Sequence, residues 1–221
     1  MHIIDDKVDI LGKNKELAEH NRRRLDERGI VAVNVMGAIG SGKTIMVERL
    51  VEALRGEVAI AAVAGDVVSD MDARRIAKTG IPVVGVNTGR ECHLDAHMID
   101  HALEKLELGG VDLLLVENVG NLVCPADFDL GTHRSVVVVS VSEGDDIVEK
   151  HPMIFLISHL AVINKVDIAG AVGADPDKME RDARRINPSL EVMQVSFKTG
   201  LGVERVVGWM RGLVGEKRSH G

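Results

Sequence analysis

From residue 30 onward, short unbroken apolar runs alternate with longer stretches in which apolar positions recur every three or four residues. The runs near 30–36, 58–64, 82–87, 111–117, 135–141, 159–164 and 191–196 predict strands. The periodic stretches near 43–55, 70–79, 93–106, 176–186 and 202–214 predict helices. Val136-Val137-Val138-Val139 has no polar face, which suits a strand covered on both sides. Strands alternating with helices predict an α/β fold: a doubly wound, mostly parallel sheet of about seven strands, with ligands at the carboxyl ends of the strands. Ahead of it, residues 8–28 carry a thin apolar stripe (Val8, Leu11, Leu17, Ala18, Leu25) and predict an extra N-terminal helix. Arg22, Arg23, Arg24 and Arg28 crowd its last turns, and Gly29 is its expected stop. The expected plan is thus residues 1–29 as a helix packed on the domain, 30–214 as the domain and 215–221 as a frayed tail.

Composition narrows the partners. With 221 residues, 45% hydrophobic and 28% charged, the chain suits one domain with a sizeable core. Aromatics are only 2%, with no tyrosine, so Val, Ile, Leu and Ala must fill that core and stacking surfaces for single-stranded nucleic acid are not expected. A net charge of −7 offers no global attraction to nucleic acid or an anionic membrane, and the arginine cluster reads as a helix end or docking surface. No apolar run approaches the roughly 20 residues of a membrane span. The opening Met1-His2-Ile3-Ile4-Asp5-Asp6 lacks a basic leader region, so the cytoplasm is the expected location. There, Cys92 and Cys124 are expected as free thiols or metal ligands.

The first chemical motif is Gly37-Ala38-Ile39-Gly40-Ser41-Gly42-Lys43-Thr44, which fits the phosphate-binding pattern G-x-x-x-x-G-K-[ST]. Its glycines let the backbone fold around phosphate oxygens and turn N–H groups inward. A helix starting within the motif aims its N-terminal dipole at the same anion. Gly37, Ala38, Gly40, Ser41, Gly42, Lys43 and Thr44 are the expected contacts, with Lys43 on the β- and γ-phosphates and the Thr44 hydroxyl on Mg²⁺.

A second motif, Asn164-Lys165-Val166-Asp167, matches N-K-x-D, the guanine-recognition motif of GTPases. A carboxylate at Asp167 accepts from both N1–H and N2–H of guanine; adenine lacks that donor pair, and an unpaired acceptor penalises ATP. The Lys165 stem is expected over the base, and Ser196-Phe197-Lys198 resembles the second guanine motif, usually S-A-K. Asp66 and Glu117, each ending an apolar run, are expected at Mg²⁺. Glu117-Asn118-Val119-Gly120 resembles the D-x-x-G switch, placing the Gly120 N–H at the γ-phosphate. The only glutamine is Gln194, so Asp66, Asp70 or Asp72 is left to orient the attacking water. Asp72 is the choice, with helix capping the alternative for Asp70 and Asp72. Without a glutamine or an arginine finger, hydrolysis is expected on the order of 10⁻⁴ to 10⁻² s⁻¹ unless a partner assists.

The third motif concerns metal. His93, His97 and His101 recur every four residues and would share one stripe of a helix, with Cys92 at its start, where the dipole favours thiolate. Cys124 lies on the loop after Glu117, so both thiols are expected at the nucleotide edge of the sheet. Thiolate plus imidazole suits Zn²⁺ or Ni²⁺. Cys92, His93 and Cys124 form the expected set, and a twofold dimer could close it; His97 and His101 are secondary, or a solvated face.

Taken together, the phosphate loop, Glu117-Asn118-Val119-Gly120-Asn121, Asn87-Thr88-Gly89-Arg90-Glu91-Cys92-His93-Leu94-Asp95, Cys124-Pro125 and Asn164-Lys165-Val166-Asp167 resemble the HypB-type hydrogenase maturation GTPases, relatives of the urease accessory GTPases. The resemblance runs over roughly residues 8 to 214. It implies a SIMIBI-like P-loop fold and a GTP-dependent homodimer that delivers nickel during [NiFe]-hydrogenase assembly, with the large-subunit maturation machinery and a nickel chaperone as partners. It also implies a Zn²⁺ or Ni²⁺ site at the dimer face through Cys92, His93 and Cys124. A chaperone for urease or a cobalamin mutase, or a nucleotide-gated metal adaptor without meaningful turnover, is the alternative.

Overall fold

The computed structural model describes residues 6–67, 69–89 and 91–220, with side chains from residue 11 to 219 within that set. The opening residues 1–5, Arg90 of the Cys-His block and Gly221 lie outside the described residues, as does the side chain of Val8. In chain order the elements are α1 (Asp6–Asp26), β1 (Val31–Met36), α2 (Lys43–Ala53), β2 (Ile60–Asp66), α3 (Met71–Ala77), β3 (Val83–Asn87), α4 (Ala96–Lys105), β4 (Leu113–Glu117), β5 (Arg134–Ser140), α5 (Ile147–Lys150), α6 (Pro152–Leu156), β6 (Leu160–Asn164), α7 (Ala169–Val172), α8 (Pro176–Ile186), β7 (Glu191–Gln194) and α9 (Val203–His220).

The seven strands form one sheet in the order β3-β2-β4-β1-β5-β6-β7. Every pairing is parallel, so all the loops leaving the carboxyl ends gather at one edge. β1 is central and fully buried, as its Val-Ala-Val-Asn-Val-Met run requires. Later strands add first on its β4 side and then on its β5 side, so the loop after β1 opens at the point where the order reverses, the usual ligand position of such sheets. Register sets the chemistry level: Glu117 on β4 lies beside Val35 on β1 and Ala64 on β2, and Ser140 on β5 lies beside Asn164 on β6.

Helices cover both faces. One face packs Met46, Val47 and Leu50 of α2 and Val206, Val207 and Met210 of α9 on the sheet. The other carries α1 and α4 over β1, β2 and β4, and α8 over β5, β6 and β7. The arginine-rich end of α1 is a docking surface. Arg22 Nε donates to Gly131 O at 2.8 Å, its Nη2 reaches Thr132 O, and Arg24 pairs with Asp100 of α4. The buried Asn21 amide donates to Ala96 O at 2.8 Å.

Two boundaries differ from expectation. The tail expected to fray beyond residue 214 continues α9 to His220, because Lys217 pairs with Asp26 at the end of α1 and Arg218 with Asp112 before β4, at 2.8 Å. The helix expected from residue 93 begins instead at Ala96. Asp95 is its N-cap, with an extended backbone and a carboxylate that accepts from Met98 N at 2.8 Å. No helix among the described residues is long and apolar enough to cross a membrane.

Candidate nucleotide and metal site

The carboxyl edge of the sheet carries a cleft of about 850 Å³ whose walls include Gly42, Lys43, Glu117, Lys165, Asp167 and Cys92. At its floor the phosphate loop turns into α2. Gly42 sits at φ 110°, and a Cβ there would meet Asn164 Nδ2 at 2.2 Å. Only glycine allows both that backbone and that approach. Lys43 Nζ is held by Gly37 O at 3.0 Å and Ala38 O at 3.1 Å. Burial pushes its ammonium below the ordinary lysine value, opposed by the charges of Glu117, Asp72, Glu143 and Asp66. Ser41 Oγ is buried in the same loop without a partner. A buried cation and an unsatisfied hydroxyl inside a ring of backbone amides form a cradle for phosphate oxygens.

The base end is assembled by Asn164. Its Nδ2 donates to Ser41 O at 2.8 Å, while its Oδ1 accepts from Lys165 N at 2.7 Å and Phe197 N at 3.3 Å. The side chain thereby ties the phosphate loop to the Lys165 and Phe197 loops, and Asp167 stands exposed on the cleft wall. Lys165 has φ 63°, the one left-handed non-glycine among the described residues. Ser196 is buried and its Oγ accepts from Thr199 N, shaping the loop that presents Lys198 to the cleft.

Opposite the base end, the Thr44 hydroxyl lies 2.7 Å from Glu117 Oε1 and 3.0 Å from Asp72 Oδ1. Asp72, expected to orient water, therefore also stands in the oxygen shell around Thr44. Asp66 lines the cleft, and its carboxylate accepts from Val67 N at 2.6 Å and from the Ser69 hydroxyl. Asp70 precedes α3 without a side-chain cap and pairs with Arg74. Glu117 is only 2% exposed, and its Oε2 has no hydrogen-bond partner. Burial lifts its carboxyl to about 7, the Thr44 hydroxyl and the Lys43 and Arg75 charges pulling down and Asp72 pushing up. An orphaned carboxylate oxygen beside a hydroxyl and a second carboxylate is a hard-oxygen set that fits Mg²⁺.

A pH dependence follows. The folded chain keeps on Glu117 a proton that the unfolded chain, at 4.5, has already released. Its contribution to stability therefore falls as pH rises from about 4.5 to about 7. The Glu117→Gln protein without ligands should gain on wild type by several degrees in Tm between pH 5 and pH 8. A difference in Tm that stays constant over that range contradicts the assignment.

The thiols meet at the same edge. Cys92 Sγ is 2.7 Å from Cys124 Sγ and 3.8 Å from His93 Nδ1, and the three ligand atoms lie within 4.8 Å of one another. Among the described residues this is the one group of three Cys, His, Asp or Glu side chains so gathered. His93 is buried and stacks on Phe128 with centroids 3.9 Å apart, which fixes the imidazole plane. The shared stripe of three histidines does not form. His93 precedes the helix, whereas His97 and His101 sit exposed on α4 with ring centroids 4.3 Å apart, outside the cluster. The expected lowering of the Cys92 thiol is reversed as well: its hydrogen bond to Cys124 and burial raise it, and the helix start that was to lower it lies further on, at Ala96. A bound cation would oppose that shift, since coordination deprotonates a thiol outright.

The motifs do not name the residues that join the two sites. Asn118, 1% exposed, accepts at Oδ1 from Leu94 N at 3.0 Å and Val119 N at 2.9 Å, and donates to Asn34 Oδ1 at 3.2 Å. The loop bearing Cys92 and His93 thus hangs from the residue next to Glu117. On its other side Thr88 N donates to Asp66 O at 2.8 Å, and Thr88 Oγ1 to Glu91 O at 2.6 Å. Gly120 brings the same switch loop onto the phosphate loop: a Cβ there would meet Ile39 Cγ1 at 2.4 Å, and Asn121 N donates to Gly37 O. A signal existed for Asn34, a lone amide inside an apolar strand, and for Phe128, one of three phenylalanines in the chain.

Comparison with known proteins agrees with this geometry. The CobW/HypB/UreG nucleotide-binding domain matches residues 31–194. A probable hydrogenase maturation factor HypB of Methanocaldococcus jannaschii is 54% identical over 214 residues, 97% of each chain. The crystal structure of hydrogenase maturation factor HypB from Archaeoglobus fulgidus superposes with a TM-score of 0.87 at 55% identity, covering 92% of this chain and 99% of that one. HypB from Helicobacter pylori, solved in complex with nickel, also gives 0.87, at 32% identity over 94% and 96% of the two chains. A P-loop at the switch point, an N-K-x-D turn and a Cys-His-Cys cluster on one sheet edge, together with these matches, place the chain in the CobW/HypB/UreG family, among the HypB-type hydrogenase maturation GTPases.

Proposed function

We propose that this protein binds GTP with Mg²⁺, hydrolyses it slowly, and uses the cycle to deliver nickel during [NiFe]-hydrogenase maturation. It does so as a cytoplasmic homodimer, serving the large-subunit maturation machinery together with a partner nickel chaperone. The observation that carries this is the double position of Cys92, which belongs to the thiol–imidazole cluster and also walls the nucleotide cleft. The nickel complex of the Helicobacter pylori relative favours nickel as cargo, although thiolate and imidazole also accept Zn²⁺.

Thr44 and Glu117, with Asp66 and Asp72 beside them, would hold Mg²⁺, which supplies charge neutralisation at the phosphate oxygens. Lys43 and the Gly120 N–H take phosphate charge, and Asp72 orients the attacking water. Asn164, Lys165, Asp167, Ser196 and Lys198 form the guanine end. Exposed apolar side chains at the rim, Ile39 at 86%, Met71 at 67% and Val123 at 63%, suit a second copy closing over both sites.

Nickel titration of the wild-type chain in GDP and in a non-hydrolysable GTP analogue, with dimer mass followed throughout, tests this. Nickel and the analogue should each raise the dimer fraction and strengthen the other's binding by about 5- to 150-fold. Equal nickel affinity in the two nucleotides rules the coupling out.

A further inference from the structure

The turn after β5 holds a buried carboxylate that no phosphate, base or metal motif includes. Val141–Glu143 forms one 3₁₀ turn ended by Gly144 at φ 91°, and it packs against the Val166–Ile168 turn that carries Asp167. Both Glu143 oxygens are shut away from solvent, and neither makes a well-formed hydrogen bond. Burial lifts the carboxyl to about 7, against the pull of the Ser140 backbone and of the Lys165 and Lys43 charges. A buried acid of this kind costs stability until a cation completes it. Of the two lysines, Lys43 is already held by the carbonyls of Gly37 and Ala38. Lys165 is not so committed. Its Nζ rests 3.3 Å from Ser142 Oγ, on the residue next to Glu143, and the half-buried residue lines the cleft.

We propose that Glu143 is a positioning residue for Lys165: when a nucleotide enters, the ammonium turns from Ser142 to the Glu143 carboxylate and fixes the lysine stem across the guanine plane. This rests on the guanine reading of the cleft and deepens it. The effect belongs to the base end, so it is shared equally by GDP and GTP. The unpaired acid in the free protein and the ion pair in the complex make affinity and free-state stability respond in opposite directions.

Calorimetric binding of GDP and a GTP analogue, with thermal melts of the free protein, tests the proposal on Glu143→Gln, Glu143→Asp and Lys165→Met, singly and combined. Glu143→Gln keeps the shape and removes the charge. It should weaken both nucleotides about tenfold while leaving the free Tm unchanged or higher. Glu143→Asp should recover most of the affinity. In the Lys165→Met background, Glu143→Gln should add no further loss. Wild-type GDP affinity in Glu143→Gln overturns the proposal. So does a loss of equal size with and without Lys165, or a Glu143→Gln chain that no longer folds. A wild-type chain that binds no guanine nucleotide instead refutes the reading of the cleft itself.

Discussion

Asp167→Asn is expected to weaken GDP and GTP by roughly 10³-fold or more, and to shift preference toward xanthine nucleotides. The expectation comes from how the base end is divided. Asn164 spends its oxygen on Lys165 and Phe197 and one N–H on Ser41, so it holds the loops together and keeps at most one N–H for the base. Ser196 is buried and shapes its own loop. Asp167 alone of these is an acceptor standing open on the cleft wall. A carboxylate there can receive two hydrogen bonds from guanine, and an amide in its place turns one of those acceptors into a donor facing a donor. Desolvating that clash costs far more than losing one contact. Xanthine has a carbonyl where guanine has the amino group, so it accepts what the amide donates. Titration of GDP, XDP and ADP into both proteins reads the result. GDP binding within threefold of wild type would place the base elsewhere.

The parts of this molecule that could be read along the chain are those whose physics is local. Strands buried on both faces leave continuous apolar runs, and all seven lie within a few residues of the runs that signalled them. The phosphate loop and the Asn164–Asp167 turn are legible because residues adjacent in the chain do their work, through backbone groups in the first and side chains in the second. Helices of four or five residues, Ile147–Lys150, Pro152–Leu156 and Ala169–Val172, are too short to show a period and went unread. At α4 the four-residue spacing of the histidines masked a stronger local signal, Asp95, whose capping bond to Met98 starts the helix beyond His93. α9 runs on past Gly215 because of partners distant in the chain: Lys217 pairs with Asp26, 191 positions away. The ties between the two sites have the same character. Asn118 joins Leu94 and Asn34, 24 and 84 positions away, and no linear pattern records that.

Those ties set the second large effect. Cys124→Ala is expected to weaken nickel about 100-fold or more and to erase the mutual strengthening of nickel and the GTP analogue, while GDP affinity stays within about threefold. Cys124 is the cleaner of the two thiols to remove, since Cys92 lines the nucleotide cleft as well. Removing one of three converging ligands leaves a thiol and an imidazole, too few to hold a tetrahedral cation without help. The proposed coupling should be lost because its route needs both ends. Glu117 and Asn118 are adjacent; one faces Thr44 and the other holds the backbone of Leu94, next to His93. In the proposed cycle, a change at the phosphate end would reach the metal end through these two packed residues, a shorter path than the loop from Glu117 round to Cys124. Nickel titration of Cys124→Ala in GDP and in the analogue decides the matter. If the analogue still tightens nickel binding in that variant, the cation is held by other residues, and the shared edge of thiols and nucleotide is an accident of folding rather than the basis of the cycle.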